Sequence, residues 1–220
     1  DDVRQLKSLL AEHNPEVQVI AKIEKPEALE HLEAIVAAAD GAMVARGDLG
    51  VEIDIARVAM AQKEIVAVCN RLRKPVIIAT QMLDSMTHSR IPTRAEVADV
   101  SNAILDGADA CMLSGETAIG EYPREAVEMM HRIAIETEKL HVDLPRLENS
   151  RELTAPGNTA GNNPITETTV SAAGHIAEDL NAKMVVVATA SGATALSMAK
   201  NRHRVPTLGV SDSPTTLRRM

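Results

Sequence analysis

Aromatic side chains are nearly absent from this chain, which has no phenylalanine, no tryptophan and a single tyrosine, Tyr122. Basic residues are also the minority, 23 against 31 acidic ones, and the formal net charge is −8. A nucleic-acid surface combines clustered lysine and arginine with aromatic rings that stack on bases. The composition therefore argues against a nucleic-acid partner.

Cysteines and long apolar runs are scarce as well. Cys69 and Cys111 both lie in apolar segments, so we expect two buried free thiols in a reducing compartment and no disulfide framework. No apolar stretch approaches the roughly 20 residues of a membrane span, and the first residues resemble a helix, not a signal peptide. These features predict a cytoplasmic protein without a membrane partner.

Apolar residues nevertheless make up 45% of the chain, enough for a core of Leu, Ile, Val, Ala and ten Met. Continuous apolar runs alternate with segments of helical periodicity, at 17–24, 42–46, 74–80 and 110–114. This pattern predicts an α/β fold with a parallel sheet covered on both faces. The runs recur about every 30 residues, the length of a βα unit. Half of a (β/α)8 TIM barrel fits best, and an open doubly wound sheet fits less well.

The amino-acid composition changes after residue 143. Pro, Asn, Gly, Thr and Glu dominate residues 144–164, which predicts a linker or flexible loop. Strands at 183–188 and 207–210 then follow a helical segment. We therefore expect a barrel half over 1–143 and part of a separate α/β domain over 165–220.

One stretch of the first domain combines a strand with a charged corner. The apolar run after Gly41 ends at Arg46, Gly47 and Asp48, and we expect the chain to leave it as a loop. Gly47 and Gly50 flank Asp48, and glycine permits a sharp turn or the close approach of a ligand. Ligands bind at the carboxyl ends of strands in α/β sheets. An ordinary turn has the same composition, so the stretch alone leaves both interpretations open.

Charged side chains recur at the neighbouring strand tips. Lys22 and Glu24 alternate along one strand and so share a face, and Asp48 ends the next strand. Two carboxylates from adjacent tips suit Mg²⁺ or Mn²⁺, and a lysine held between them stays charged beside a phosphate or enolate oxygen. Thr80 and Ser114 add hydroxyls to this edge. We expect metal-assisted phosphoryl transfer or enolate chemistry; a structural ion pair at a strand end is the alternative.

Five blocks of sequence, in order, resemble the pyruvate kinase family. They are Val17–Leu29 (VQVIAKIEKPEAL), Gly41–Ile53 (GAMVARGDLGVEI), Lys74–Met86 (KPVIIATQMLDSM), Pro92–Asn102 (PTRAEVADVSN) and Ala108–Pro123 (ADACMLSGETAIGEYP). The resemblance covers nearly the whole chain and is strongest over 17–140. It implies the second half of the catalytic TIM barrel, followed by the start of the C-terminal domain. The implied glycolytic reaction transfers a phosphoryl group from phosphoenolpyruvate to ADP and gives pyruvate and ATP.

The resemblance also implies a role for individual residues. It assigns Lys22 to the phosphoryl group in transit, Glu24 and Asp48 to the divalent metal, the backbone of Ala45, Arg46, Gly47 and Asp48 to the substrate carboxylate, Thr80 to protonation of the enolate, and Ser114 and Glu116 to proton supply through water. It assigns the run from Thr93 to Glu96 to loop support and subunit contact. A homotetramer and a K⁺ ion with ligands outside this chain are implied as well.

The family's barrel has four earlier strands and an inserted lid, and this chain contains no counterpart of either. We therefore expect the 220 residues to belong to a longer chain and to be inactive alone. A Mg²⁺-dependent aldolase or lyase acting on pyruvate enolate is one alternative. A truncated scaffold without enzymatic activity is another.

The second domain contains a candidate phosphate site. Thr189, Ser191, Gly192 and Thr194 lie between a strand and a helix, where amides and hydroxyls suit a phosphate. The resemblance implies a sugar-phosphate effector there. The loop contains neither Lys nor Arg, which favours a plain βα turn.

Overall fold

The computed structural model describes residues 1–143 and 164–220. The chain divides into two compact units, Asp1–Pro145 and Arg146–Met220. The predicted linker at 144–164 lies outside the described residues except for Pro164, which begins a helix. The linker therefore stays a prediction.

The first unit alternates helices with short strands, as the sequence predicts. Its elements are α1 (Asp2–His13), β1 (Ile20–Ile23), α2 (Pro26–Glu30), α3 (Leu32–Ala38), β2 (Gly41–Ala45), α4 (Arg46–Glu52), α5 (Ile55–Arg71), β3 (Val76–Ala79), a 3-10 helix (Asp84–Thr87), α6 (Arg94–Asp106), β4 (Ala110–Met112), α7 (Gly115–Ala118) and α8 (Pro123–Asp143).

The four strands form one parallel sheet in the order β1-β2-β3-β4. Lys22 pairs with Met43 between the first two strands, and Ala79 pairs with both Ala45 and Met112 further along the sheet. The carboxyl ends of all four strands therefore meet at one edge. The parallel α/β fold predicted from the apolar runs is confirmed.

The core of this unit is aliphatic and rich in methionine, as the composition predicts. Strand residues such as Val44 and Ile78 are fully buried against Ile65 of α5, and Met82 and Met86 fill the space beyond the end of β3. Methionine suits such irregular space because its side chain is flexible and unbranched. Both cysteines are free, but Cys111 is only partly buried, in contrast to the expectation, whereas Cys69 is fully buried.

The corner after β2 differs from the expectation. The chain enters α4 directly at Arg46 instead of leaving as a loop, and Leu49 of that helix is fully buried. The positive φ angles among the described glycines occur at Gly107 and Gly192, so Gly47 does not provide a left-handed turn. Its small size matters instead, because a Cβ there would lie 3.3 Å from Thr80 Oγ1. The burial of Leu49 explains why a helix forms where glycine disfavours one.

Helix boundaries elsewhere follow local chemistry. The segment that begins at Pro26 forms two short helices, α2 and α3, which meet at His31. Helix α6 begins at a capping box in which Thr93 and Glu96 bond each other's backbone amides, and it ends at Gly107, with φ of 97°. Capping residues therefore set both ends of α6.

Two aspartates fasten the amino ends of the strands. Asp40, directly before β2, accepts a hydrogen bond of 2.8 Å from the Val19 amide, directly before β1. Asp109, directly before β4, accepts one of 2.8 Å from the Val76 amide of β3. Strand register is thus fixed by side chains at the edge opposite the polar tips.

The second unit is a small α/β unit, as predicted. Its described elements are α9 (Pro164–Asp179), β5 (Val185–Ala188), α10 (Ala193–Lys200), β6 (Thr207–Val210) and α11 (Pro214–Arg219). The two strands are parallel. Their core contains Val170, Val187, Ala195 and Met198. In neither unit does a described helix have the length and apolar character needed to cross a bilayer.

Candidate active site at the carboxyl edge of the sheet

Lys22, Glu24 and Asp48 meet at the tips of β1 and β2, as the sequence predicts. The Lys22 Nζ atom lies 2.5 Å from Glu24 Oε2 and 2.7 Å from Asp48 Oδ2. All three side chains are partly open to solvent, with exposures of 50%, 35% and 53% in that order. One ammonium therefore bridges two carboxylates at the open edge of the sheet.

These contacts favour the charged forms of Lys22 and Asp48. Hydrogen bonds to Asp48 and then to Glu24 raise the pKa of Lys22 well above its ordinary value. The hydrogen bond from Lys22 in turn lowers the pKa of Asp48. Lys22 therefore presents a positive charge, and Asp48 a negative charge, at neutral pH.

The donor chemistry of this cluster fits a divalent metal. Glu24 and Asp48 supply the oxygen ligands that Mg²⁺ and Mn²⁺ prefer, and they already attract one cation, the Lys22 ammonium. Over residues 1–143 and 164–220, no group of three or more His, Cys, Asp or Glu converges in a way that could hold a metal. A metal here would draw its other ligands from water or substrate, as Mg²⁺ commonly does.

Thr80 lies beside this cluster and contacts α4. The Gly47 amide donates a hydrogen bond of 2.7 Å to Thr80 Oγ1. This amide belongs to the backbone that the resemblance assigns to the substrate carboxylate, and it is already paired with Thr80. Because Thr80 Oγ1 is the acceptor, the Thr80 hydroxyl proton is left to donate elsewhere.

The Arg46 side chain is buried, with 9% of its surface exposed. Its Nη2 atom donates to the Thr80 and Gln81 carbonyls at 2.8 and 3.0 Å, and Nε donates to the Thr80 carbonyl at 3.3 Å. Its Nη1 atom donates to Asp99 Oδ2 at 2.5 Å and to Gln62 Oε1 at 3.5 Å. The resemblance assigns only the backbone of Arg46 a role, whereas its side chain joins the Thr80–Gln81 segment to Asp99 and Gln62.

Glu116 is fully buried behind the tip of β4. Its Oε1 atom accepts a hydrogen bond of 3.0 Å from the Leu83 amide, and its Oε2 atom accepts one of 2.8 Å from the Ser114 amide. The Ser114 Oγ atom is buried and makes no hydrogen bond to the described residues. The carboxylate thus joins the segments that follow β3 and β4, and its predicted part in proton supply stays a prediction.

Asp99 and Gln62, the side-chain partners of Arg46, were not predicted from the sequence, and their positions in the sequence indicate a buried contact only weakly. Asp99 directly precedes the buried Val100 on α6, and Gln62 is itself buried on α5. A polar residue on a helix face that is otherwise buried indicates a buried partner, but it does not identify that partner. The predicted loop support by Glu96 is seen in its hydrogen bonds of 2.7 and 2.6 Å from the amide and hydroxyl of Ser85.

The predicted effector loop is largely bonded to itself. Thr189 Oγ1 accepts a hydrogen bond of 3.0 Å from the Gly192 amide, and Ser191 Oγ accepts one of 3.4 Å from the Ala193 amide. Asp212 lines the cavity next to Thr189, where a carboxylate repels an anion. These contacts are typical of a βα turn, and phosphate binding at Thr189, Ser191, Gly192 and Thr194 stays a prediction.

Comparison with known proteins covers both units. The family model described as the pyruvate kinase barrel domain matches residues 1–127, and the one described as the pyruvate kinase alpha/beta domain matches residues 167–220. Pyruvate kinase of Debaryomyces hansenii is 47% identical over 96% of this chain and 41% of its own length. Pyruvate kinase of Geobacillus stearothermophilus is 45% identical over the whole chain and 36% of its own length.

Pyruvate kinase 2 of Synechocystis is 48% identical over 96% of this chain and 34% of its own length. The chain thus spans between 34% and 41% of the length of these three relatives. The family models cover both the sheet that carries Lys22, Glu24 and Asp48 and the second unit. The chain belongs to the pyruvate kinase family.

Proposed function

We propose that this protein catalyses the pyruvate kinase reaction, in which phosphoenolpyruvate gives its phosphoryl group to ADP and yields pyruvate and ATP. The observation that carries the proposal is the Lys22 ammonium shared by Glu24 and Asp48 at the carboxyl edge of the sheet. Family membership supports the same reaction. Within the described residues, no specific contact favours an aldolase or lyase.

Lys22 is proposed to stabilise the phosphoryl group in transit. Its ammonium is fixed by two carboxylates and is exposed to an incoming phosphate. Glu24 and Asp48 would hold Mg²⁺ or Mn²⁺, which supplies charge neutralisation for phosphate oxygens when bound. A K⁺ ion is proposed as a further cofactor, with ligands outside this chain.

Thr80 is proposed to act on the enolate that remains after phosphoryl transfer. Its hydroxyl oxygen accepts the Gly47 amide, which leaves the proton to donate toward the substrate. Ser114 and Glu116 are proposed to support proton supply to this position. The buried contacts of Glu116 add a second role, which is to hold the Ser114 segment in place.

The backbone of Ala45, Arg46, Gly47 and Asp48 is proposed as the seat of the substrate carboxylate. The Gly47 amide would then share its proton between the Thr80 hydroxyl and the substrate. A cytoplasmic homotetramer and effector-phosphate binding at the Thr189 loop are proposed from family resemblance.

The test is a coupled assay of pyruvate formation from phosphoenolpyruvate and ADP, with Mg²⁺ and K⁺, on the full-length natural protein. Mn²⁺ binding, measured by electron paramagnetic resonance, provides a second readout that does not require turnover. Glu24→Gln and Asp48→Asn should each weaken Mn²⁺ binding by about 10-fold or more, because each removes an anionic ligand.

Glu33→Gln is the matched control. Glu33 is an exposed carboxylate whose pKa is lowered by its hydrogen bond from Arg71, and it makes its ion pair away from the strand tips. Its substitution should leave Mn²⁺ affinity and turnover unchanged. Lack of pyruvate formation by the natural protein would overturn the proposed function, and unaltered Mn²⁺ affinity in both site variants would overturn the metal assignment.

A further inference from the structure

We infer that the Arg46 side chain is a positioning residue that holds the backbone of Thr80 and Gln81 and thereby sets the Thr80 hydroxyl. This inference rests on the proposed function. Arg46 lies on α4, directly before Gly47, whereas Thr80 directly follows β3. One side chain therefore joins the two neighbouring tips of the sheet from the buried side.

The segment that Arg46 holds has an uncommon backbone conformation. Thr80 has a φ of 70° and Gln81 a φ of 53°, and a positive φ is a marked outlier for a β-branched residue such as threonine. Such conformations persist only where surrounding contacts determine them. The carbonyls of both residues accept hydrogen bonds from the same Nη2 atom of Arg46.

The guanidinium is itself fixed from its other end. Nη1 donates to Asp99 of α6 and to Gln62 of α5, so two helices hold the fork in place. A lysine would keep the positive charge, but its ammonium lacks the planar fork that reaches two carbonyls and a carboxylate together. The arrangement depends on the geometry of arginine and not only on its charge.

The hold of Arg46 on the backbone determines where the Thr80 hydroxyl lies at the carboxyl edge of the sheet. With the Thr80 carbonyl held by Arg46, Oγ1 comes within 2.7 Å of the Gly47 amide. Arg46 directly precedes the Gly47 amide on α4, and its side chain restrains Thr80. Loss of the fork should leave Lys22, Glu24 and Asp48 intact and release Thr80.

The test uses Arg46→Lys in the full-length natural protein. Turnover should fall by about 100-fold, the typical effect of misplacing a reacting group, while Mn²⁺ affinity stays within about 2-fold. Hydrogen exchange of the Gly47 amide should accelerate by about 10-fold, since its bond to Thr80 is lost. Asp99→Ala should change both quantities in the same direction, by less.

A double-mutant cycle identifies the route of the effect. If Arg46 acts through Thr80, then Arg46→Lys should have little further effect on turnover in a Thr80→Ala background. Arg71→Lys is the matched control, because Arg71 makes two hydrogen bonds to Glu33 on the exposed surface. It should change neither turnover nor exchange at Gly47.

Additive losses in the cycle, or unchanged exchange at Gly47 in Arg46→Lys, would overturn the inference. Thermal unfolding of each variant shows whether it is folded. If Arg46→Lys is unfolded, turnover and Gly47 exchange are compared in Asp99→Ala, which retains the arginine. A natural protein without pyruvate kinase activity would overturn the proposed function alone. The exchange measurement would still decide whether Arg46 holds Thr80.

Discussion

Gly47 and Thr80 come from different βα units, and a hydrogen bond of 2.7 Å joins the Gly47 amide to the Thr80 hydroxyl. A Cβ on Gly47 would lie 3.3 Å from the same oxygen, so a larger residue would press on this bond. The two tips are therefore joined by a contact that depends on a hydroxyl at one position and on a small residue at the other.

The Thr80 hydroxyl is tested by comparing Thr80→Val with Thr80→Ser. Valine keeps the shape but leaves the Gly47 amide without its acceptor, which should cost about 1–3 kcal/mol of unfolding free energy. Turnover should fall by about 100-fold, since the proposed proton donor is lost. Serine keeps the hydroxyl and should retain most stability and turnover. Equal effects of both substitutions on turnover would contradict the assignment.

Glu116 is tested by Glu116→Gln. The buried carboxylate accepts two backbone amides, and one oxygen of the carboxylate is replaced by an NH₂ donor facing one of them. The variant should lose about 1–3 kcal/mol of unfolding free energy, measured by urea denaturation. Glu121→Gln, at an exposed carboxylate that contacts His88, should change stability by no more than about 0.5 kcal/mol. If Glu116→Gln is as stable as the natural protein, Glu116 does not hold the Ser114 segment in place, and proton supply is its only proposed role.

The lowered pKa of Glu96 should make the free energy of unfolding depend on pH. Burial raises the pKa of Glu96, but hydrogen bonds from Ser85 and Thr93 outweigh it and leave the pKa below its ordinary value of 4.5. A carboxyl with a lowered pKa in the folded state stabilises the fold above 4.5, and this contribution is lost as pH falls through the folded-state pKa. Denaturant unfolding at pH 7 and at pH 3.5 should therefore show a smaller acid-induced loss in Glu96→Gln than in the natural protein. An identical loss in both proteins would contradict this linkage.

Gly107 is tested by Gly107→Ala. Its φ of 97° is unfavourable for alanine, and the new Cβ would lie 2.7 Å from Asn70 Nδ2. We expect a loss of about 1–3 kcal/mol in unfolding free energy. Gly115→Ala is the control, because its added Cβ would meet Thr87 Oγ1 at 3.9 Å, an ordinary van der Waals contact, and its φ is not positive. A loss in the control equal to that in Gly107→Ala would refute the steric explanation.

The parallel sheet and the meeting of Lys22, Glu24 and Asp48 could be predicted because apolar runs identify buried strands, and parallel strands end at one edge. Helix α4 could not, because its glycines and aspartate favour a turn locally, and only the burial of Leu49 in the folded unit reverses that preference. The same limit applies to Arg46. Its partner Asp99 lies on a distant helix, and nothing in the spacing of the chain indicates that the two meet.

Asp40 and Asp109 make the alignment of each strand pair depend on a contact of its own. Each aspartate directly precedes a strand and accepts a hydrogen bond from an amide at the start of the preceding strand, at Val19 and at Val76. The partners lie 21 and 33 residues apart, so each contact closes a loop of about one βα unit. Loss of one aspartate should therefore weaken the alignment of its own strand pair and leave the other pair in register.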